Sequence, residues 1–214
     1  MKARSVSVSP ERRLRLVRSP YALPAEDDRG RTGTPAPQGK PPAVDSRSAE
    51  PPAIEQIYSE YARYVAAMAS RVLGRVAEVD DVVQEVFAAA VHGLRRRDDD
   101  REVKAWLAKV TVRRCIRHLR LRRLWSLVDR GQANTYDDLA EPSAGPAERL
   151  LVAEVYGALD RIPTRERVPW TLRHVEGESL ERISVLCGRS LATIKRRIAQ
   201  AHQKLLMHLS ENRS

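Results

Sequence analysis

Within VRRCIRHLRLRR, residues 112–123, six arginines stand among twelve positions with no acid between them. Guanidinium groups this close on one helix repel one another, and a phosphate backbone is the partner that relieves the repulsion, releasing condensed counterions as it does so. A solvated charged face is the plain alternative. A second basic set follows in SLATIKRRIAQ, residues 190–200. If Leu191, Ile194 and Ile198 face inward, Ser190, Ala192, Thr193, Lys195, Arg196, Arg197 and Gln200 are left for solvent or a ligand. Arg and Gln offer paired bonds to guanine and adenine edges, whereas Thr and Lys suit phosphate oxygens. Set against both is VDDVVQEVFAAAV, residues 79–91, where Asp80, Asp81, Gln84 and Glu85 share one side of a helix whose other side is apolar. Acids near a helix N-terminus are favoured by the dipole, so solvent or a basic docking partner would each account for that face.

No residue set points to catalysis. His92, His118, His174, His202 and His208 show no ligand spacing, no Gly-rich loop could cradle a phosphate, and no nucleophile stands out beside a base. The expectation is a binding protein with no catalytic site, no metal, no cofactor and no small-molecule substrate. Cys115 and Cys187 lie singly on helical patterns and read as buried structural thiols.

The elements that must carry these sets are helices. Ile54, Ile57, Tyr58, Tyr61, Val65, Met68, Ala69 and Val72 repeat at helical spacing, and Gly74 is placed to end the first helix. The acidic helix follows, running to about Leu94. After the charged break RRRDDDR at 95–101, a third helix begins with Val103, Trp106, Leu107 and Val110 and continues into the arginine run. Trp106 reads either as core or as a platform for a stacked base. Residues 129–146, DRGQANTYDDLAEPSAGP, are polar, acidic and without period, which marks a linker.

Four more helical patterns follow. Pro169 conflicts with a helix starting near Thr164, since an interior proline costs about 3 kcal/mol, so a start near Val168 is expected. Ser179 and Ser190 are placed to cap the last two helices, with the turn at Gly188 between them. Two helices joined by a short Gly turn form a helix-turn-helix pattern, whose second helix enters a major groove; a basic helix of an ordinary bundle would look the same.

Composition agrees with an anionic partner: Lys and Arg number 38 against 28 acids, a formal net charge of +10. Nine of the 13 prolines precede residue 53, so residues 1–52 read as a disordered, basic, Pro-rich arm. Its arginines adjoin no uninterrupted apolar stretch of the kind a secretory signal needs, and a cytoplasmic location is expected.

Taken in order, DDVVQEVF, WLAKV with its arginine helix, a polar linker and DRIPTRER…EGESLERISVLCGRSLATIKRRIAQA resemble the small sigma factors of bacterial RNA polymerase called the extracytoplasmic-function group. The resemblance covers about residues 54–208. It implies an all-α chain of two small helical domains joined by a flexible linker: a region 2-like bundle at 53–127 and a region 4-like helix-turn-helix domain at 147–210, with the linker at 128–146. It implies that Asp80, Asp81, Gln84 and Glu85 dock on the clamp helices of the polymerase beta-prime subunit, the second domain meeting the beta flap. It places Trp106, Arg113, Arg114, Arg117, Arg120, Arg122 and Arg123 at the minus-10 element, a base-capturing loop at about residues 96–104, and helix 190–206 at the minus-35 element. Core polymerase, promoter DNA and an anti-sigma factor are the implied partners.

The chain departs from the family pattern at four positions. Arg113 stands where Asn is common, Arg117 where Asp is common, and Pro169 and Trp170 where two aliphatic residues are usual. A free-standing helix-turn-helix regulator and a degenerate sigma-like interaction protein are the competing readings.

Overall fold

The computed structural model describes residues 54–94, 100–125, 136, 139 and 145–211. Among them are seven helices and no strand: α1 Ile54–Leu73, α2 Val79–Gly93, α3 Asp100–Trp125, α4 Pro146–Asp160, α5 Thr164–His174, α6 Leu180–Cys187 and α7 Leu191–Glu211. The expected arm, the start of the base-capturing loop and most of the linker lie outside the described residues.

Helices α1, α2 and α3 bury the stripes their periodicity marks. Ile57, Tyr61, Val65, Met68 and Val72 of α1 meet Val79, Val82, Val86 and Ala90 of α2, and Val103, Leu107, Val112, Cys115 and Leu119 of α3. Cys115 is one of these core groups, and burial pushes its thiol far above the usual range. In the second half, Val155, Tyr156 and Leu159 of α4 close on Trp170 of α5 and on Ala201, Leu205 and Leu209 of α7.

The two halves pack against each other. One continuous cluster of buried side chains runs from α1, α2 and α3 into Val168 and Leu172 of α5, Ile183 and Leu186 of α6, and Ile194 of α7. The sequence pattern marks each stripe as apolar but not which partner it finds.

Pro169 corrects the expected helix start. Helix α5 begins at Thr164, with the Pro163 carbonyl accepting from the N–H groups of Glu166 at 2.8 Å and Arg167 at 2.9 Å, and Pro169 lies inside the helix. The missing donor is offset by what the early start buries: every residue from Glu166 to Leu172 is buried. Trp170 is fully buried with its ring 4.7 Å from that of His174, so the unusual Pro-Trp pair is part of the core. Burial, with His202 and Arg173 adding to it, pushes His174 down to about 4, and the imidazole packs neutral.

Chain reversals fall on glycines where the backbone requires them. Gly74 ends α1 at φ +69°, and a Cβ built there would lie 2.6 Å from Tyr156 Cδ1 and 2.7 Å from Arg167 Nη2. Both neighbours come from the second half, so this turn is also where the halves meet. No helix among the described residues is long and apolar enough to cross a membrane.

Replacing Gly74 by Ala should lower stability by about 2–4 kcal/mol, combining left-handed backbone strain with overpacking. Urea unfolding followed by circular dichroism measures the loss.

Candidate nucleic-acid interface

The arginine helix sorts its own side chains. Val112, Cys115 and Leu119 hold one face of α3 in the core, which turns Arg113, Arg117 and Arg120, at i, i+4 and i+7, outward as an exposed ridge with Arg123 beside it. This is a row of cations spaced to follow a phosphate backbone. Arg114 is half-buried and lies 3.2 Å from Glu85.

Arg122 behaves differently, because its position carries it toward the core side of the helix. Its guanidinium donates to Glu78 Oε1 at 3.0 Å, to the Leu73 carbonyl at 3.0 Å and to Asp160 Oδ1 at 3.3 Å. In this form it is a structural cation and not a presented one. Trp106 is half-buried against the first core, and its ring lies on Gly93, where an added Cβ would come within 2.3 Å of the indole. Trp106 thus packs on α2 while part of its surface stays accessible.

On α2, Asp80, Asp81 and Gln84 are exposed while the opposite face supplies Val79, Val82, Val83 and Val86 to the core. Glu85, the fourth member of that set, is engaged within the chain: its carboxylate lies 3.7 Å from Arg117 Nη1 and 3.2 Å from His118 Nε2, besides Arg114. The acidic and basic faces therefore adjoin, and Glu85 is the seam between them.

The helix-turn-helix pattern is built as its caps require. The Ser179 hydroxyl accepts from the Arg182 N–H at 3.1 Å, Gly188 turns the chain at φ 60° after α6, and the Ser190 carbonyl accepts from the Ile194 N–H at 3.0 Å to start α7. Ile183, Leu186 and Ile194 lock the two helices together. Ala192, Lys195, Arg196 and Gln200 are exposed, whereas Thr193 and Arg197 are half-buried. Ser190 and Thr193 bond each other through their hydroxyls at 2.9 Å. Burial and the neighbouring charge of Arg189 push Arg197 below the usual arginine range, and Cys187 beside it is raised by burial to about 11.

A group of residues that the sequence pattern does not single out joins the halves. Arg71 donates to Glu176 through two nitrogens, Nη2 at 2.9 Å. The Tyr156 hydroxyl donates to the Arg71 carbonyl at 3.0 Å. Arg167, 3% exposed, donates to the Leu73 carbonyl at 2.8 Å and is paired with Asp160, which also accepts from the Tyr136 hydroxyl at 2.6 Å. Tyr136 lies in the polar linker stretch, yet it is buried and stacked 6.2 Å from Tyr156. Burial alone would raise the Asp160 carboxyl, but Arg167, the Tyr136 hydroxyl and Arg122 outweigh it and hold the group below the usual range.

Comparison with known proteins places these features in a family. The Sigma-70 region 2 model matches residues 57–124 and the Sigma-70 region 4 model matches residues 153–205. The RNA polymerase sigma factor CnrH of Cupriavidus metallidurans is 32% identical over 136 residues, covering 60% of this chain and 71% of that protein. The ECF RNA polymerase sigma factor SigW of Bacillus subtilis is 22% identical over 168 residues, covering 74% of this chain and 90% of that protein. Among solved structures, the sigma factor RpoE in complex with the anti-sigma factor NepR from Bartonella quintana has the same fold, with a TM-score of 0.50 and 19% identity over 73% of this chain and 96% of that one.

Asp160 yields a test with a defined sign. Its folded value lies below the unfolded value of about 3.9, so its stabilisation is present above about pH 4 and disappears as pH falls through the folded value. Asp160→Asn should cost about 3–5 kcal/mol at pH 7, because Arg167 keeps its burial and loses its counter-charge. The gap between the two proteins in denaturation experiments should narrow as the pH is taken below 4.

Proposed function

The chain belongs to the extracytoplasmic-function group of the sigma-70 family, and from that membership we propose that it binds core RNA polymerase, directs it to promoters with two upstream elements and helps open the nearer one. The observation that carries the reading is the exposed ridge of Arg113, Arg117 and Arg120 in the same chain as a capped helix-turn-helix that turns Lys195, Arg196 and Gln200 to solvent. One basic surface suits a melted or distorted strand, and the other suits a major groove.

In this reading residues 53–127 dock on polymerase and hold the minus-10 element, and residues 147–210 read the minus-35 element. Asp80, Asp81 and Gln84 form the exposed part of the docking face, and Glu85 joins it by leaving weak surface pairs with Arg114 and Arg117. Arg113 and Arg117 add charge where relatives of this type commonly carry Asn and Asp, so the minus-10 preference is the chain's own. Ser190, Thr193 and Arg197 support the reading helix from its first two turns. The role is one of binding and positioning, with no reaction of its own. Control by an anti-sigma factor belongs to the reading because the solved relative from Bartonella quintana is bound to one.

Run-off transcription with bacterial core polymerase on pooled genomic fragments tests this reading. Discrete RNA starts that share two upstream elements are expected only when the protein is present; starts identical with and without it would end the proposal. Arg196→Ala should weaken binding to the mapped minus-35 element by about 1–3 kcal/mol while leaving co-purification with core unchanged. Asp81→Lys should abolish that co-purification with helicity intact by circular dichroism, and undiminished recovery of the complex would remove α2 as the docking helix.

A further inference from the structure

The end of the arginine helix differs in character from the rest of it. Leu119 is the last residue of α3 held in the core, and the helix continues to Trp125. On that last stretch Leu121, Leu124 and Trp125 are 43%, 62% and 69% exposed. Single exposed apolar side chains are ordinary, but these three stand at i, i+3 and i+4 and so make one patch. The chain has three tryptophans. Trp170 is fully buried and Trp106 is half-buried on Gly93, which leaves Trp125 as the indole most fully presented to solvent.

The patch continues the basic ridge. Leu121 lies four residues beyond Arg117 and Leu124 four beyond Arg120, so the rotation that turns the cations outward turns these side chains the same way. From Arg113 to Trp125 the face runs about 18 Å, at about 1.5 Å per residue. No acid occurs between residues 103 and 125. A face of this kind joins cations to a large π surface. Duplex DNA offers it phosphates only, because the faces of paired bases are stacked on one another. An unpaired strand offers phosphates and a bare base together, and every base has a π face to present.

We propose that Trp125, bordered by Leu121 and Leu124, is a stacking platform for an unpaired base, and that Arg113, Arg117 and Arg120 hold phosphates of the same strand. The inference deepens the sigma-factor reading, since promoter opening is what supplies the strand. It adds a contact at the C-terminal end of α3, beyond the arginine ridge. Trp125 acts by binding alone, and no bond is made or broken.

The test is binding of a dye-labelled, mixed-sequence single strand of DNA to the full chain, read by fluorescence anisotropy across a salt series. Losing one stacked base weakens binding by about 5- to 150-fold, and Trp125→Leu should show a loss in that range. The slope of log affinity against log salt should stay the same in Trp125→Leu, because no phosphate contact is removed. Arg113→Ala should instead reduce that slope by about 0.7. Trp125→Phe, which keeps a ring, should retain most of the affinity, and a duplex of the same sequence should bind Trp125→Leu as well as it binds the unmodified chain. Circular dichroism checks that helicity is intact in each variant. Equal single-strand binding by Trp125→Leu, a Trp125→Phe variant as weak as Trp125→Leu, or an equal loss on the duplex would each overturn the proposal. So would the absence of single-strand binding by the full chain, free and with core polymerase. Loss of co-purification with core polymerase in Trp125→Leu would assign the patch to a protein partner and overturn it as well. Stacking at Trp125 in a protein that gives no promoter-specific starts would uphold the single-strand face and end the sigma-factor reading; promoter-specific starts with unchanged single-strand binding by Trp125→Leu would do the reverse.

Discussion

The Leu73 carbonyl, at the last turn of α1, is the point on which the arrangement of the halves depends. Carbonyls in the last turn of a helix have no intrahelical donor, and Gly74 turns the chain away at φ +69° so that this one stays accessible. Two guanidinium groups take it, Arg167 at 2.8 Å and Arg122 at 3.0 Å, and Asp160 balances the pair. Burial of this kind is costly unless charge and hydrogen bonds are matched together, and here a carboxylate, a carbonyl and the Tyr136 phenol do the matching. The apolar stripes of α5 and α6 would adhere to many surfaces, because hydrophobic burial has no direction. The polar node has direction, and it selects the register in which those stripes meet α1 and α3.

The same helix geometry explains why arginines only a few residues apart in α3 have different fates. Arg113, Arg117 and Arg120 fall on the side opposite Cys115 and Leu119, where water stabilises their charge and an anion can reach it. Arg122 lies three residues beyond Leu119, on the core side, and its charge is met there by Glu78 and Asp160. A run of like charges is therefore divided by rotation about one axis into a presented set and a structural member.

Much of this was legible in the sequence, and what was missed has a common cause. The stripes of α1, α2, α3 and α7, the caps at Ser179 and Ser190, the turn at Gly188 and the outward set Lys195, Arg196 and Gln200 all follow from spacing along one helix. Tyr136, Asp160, Arg167, Arg71 and Glu176 do not, because each acquires its role from a residue far away in the chain; Arg71 and Glu176 are 105 positions apart. Asp160 and Arg167 occur within a motif quoted for its family likeness, and nothing in their spacing announces a buried pair. The start of α5 differs from the expected one for a related reason: a local rule about proline meets a core that gains more from burying Val168, Trp170 and Leu172 than the lost hydrogen bond removes.

The ion pairs of this chain consequently fall into two classes that differ in how readily they can be exchanged. Glu85 pairs with Arg114 and Arg117 on a surface where the three side chains are 31%, 33% and 60% exposed, and such pairs contribute at most about 1 kcal/mol each, screened by salt. An incoming basic surface can take Glu85, and an incoming phosphate can take the arginines, with little loss. Asp160 and Arg167 stand at the other extreme: removing either leaves a charge buried without its counterpart. Arg71–Glu176 and Arg122–Asp160 lie between: both are largely buried and join one half to the other, while Arg122 also pairs with Glu78 of its own half and Asp160 with Arg167 of its own. Breaking Asp160–Arg167, whose guanidinium is 3% exposed, would strand a charge within its own half.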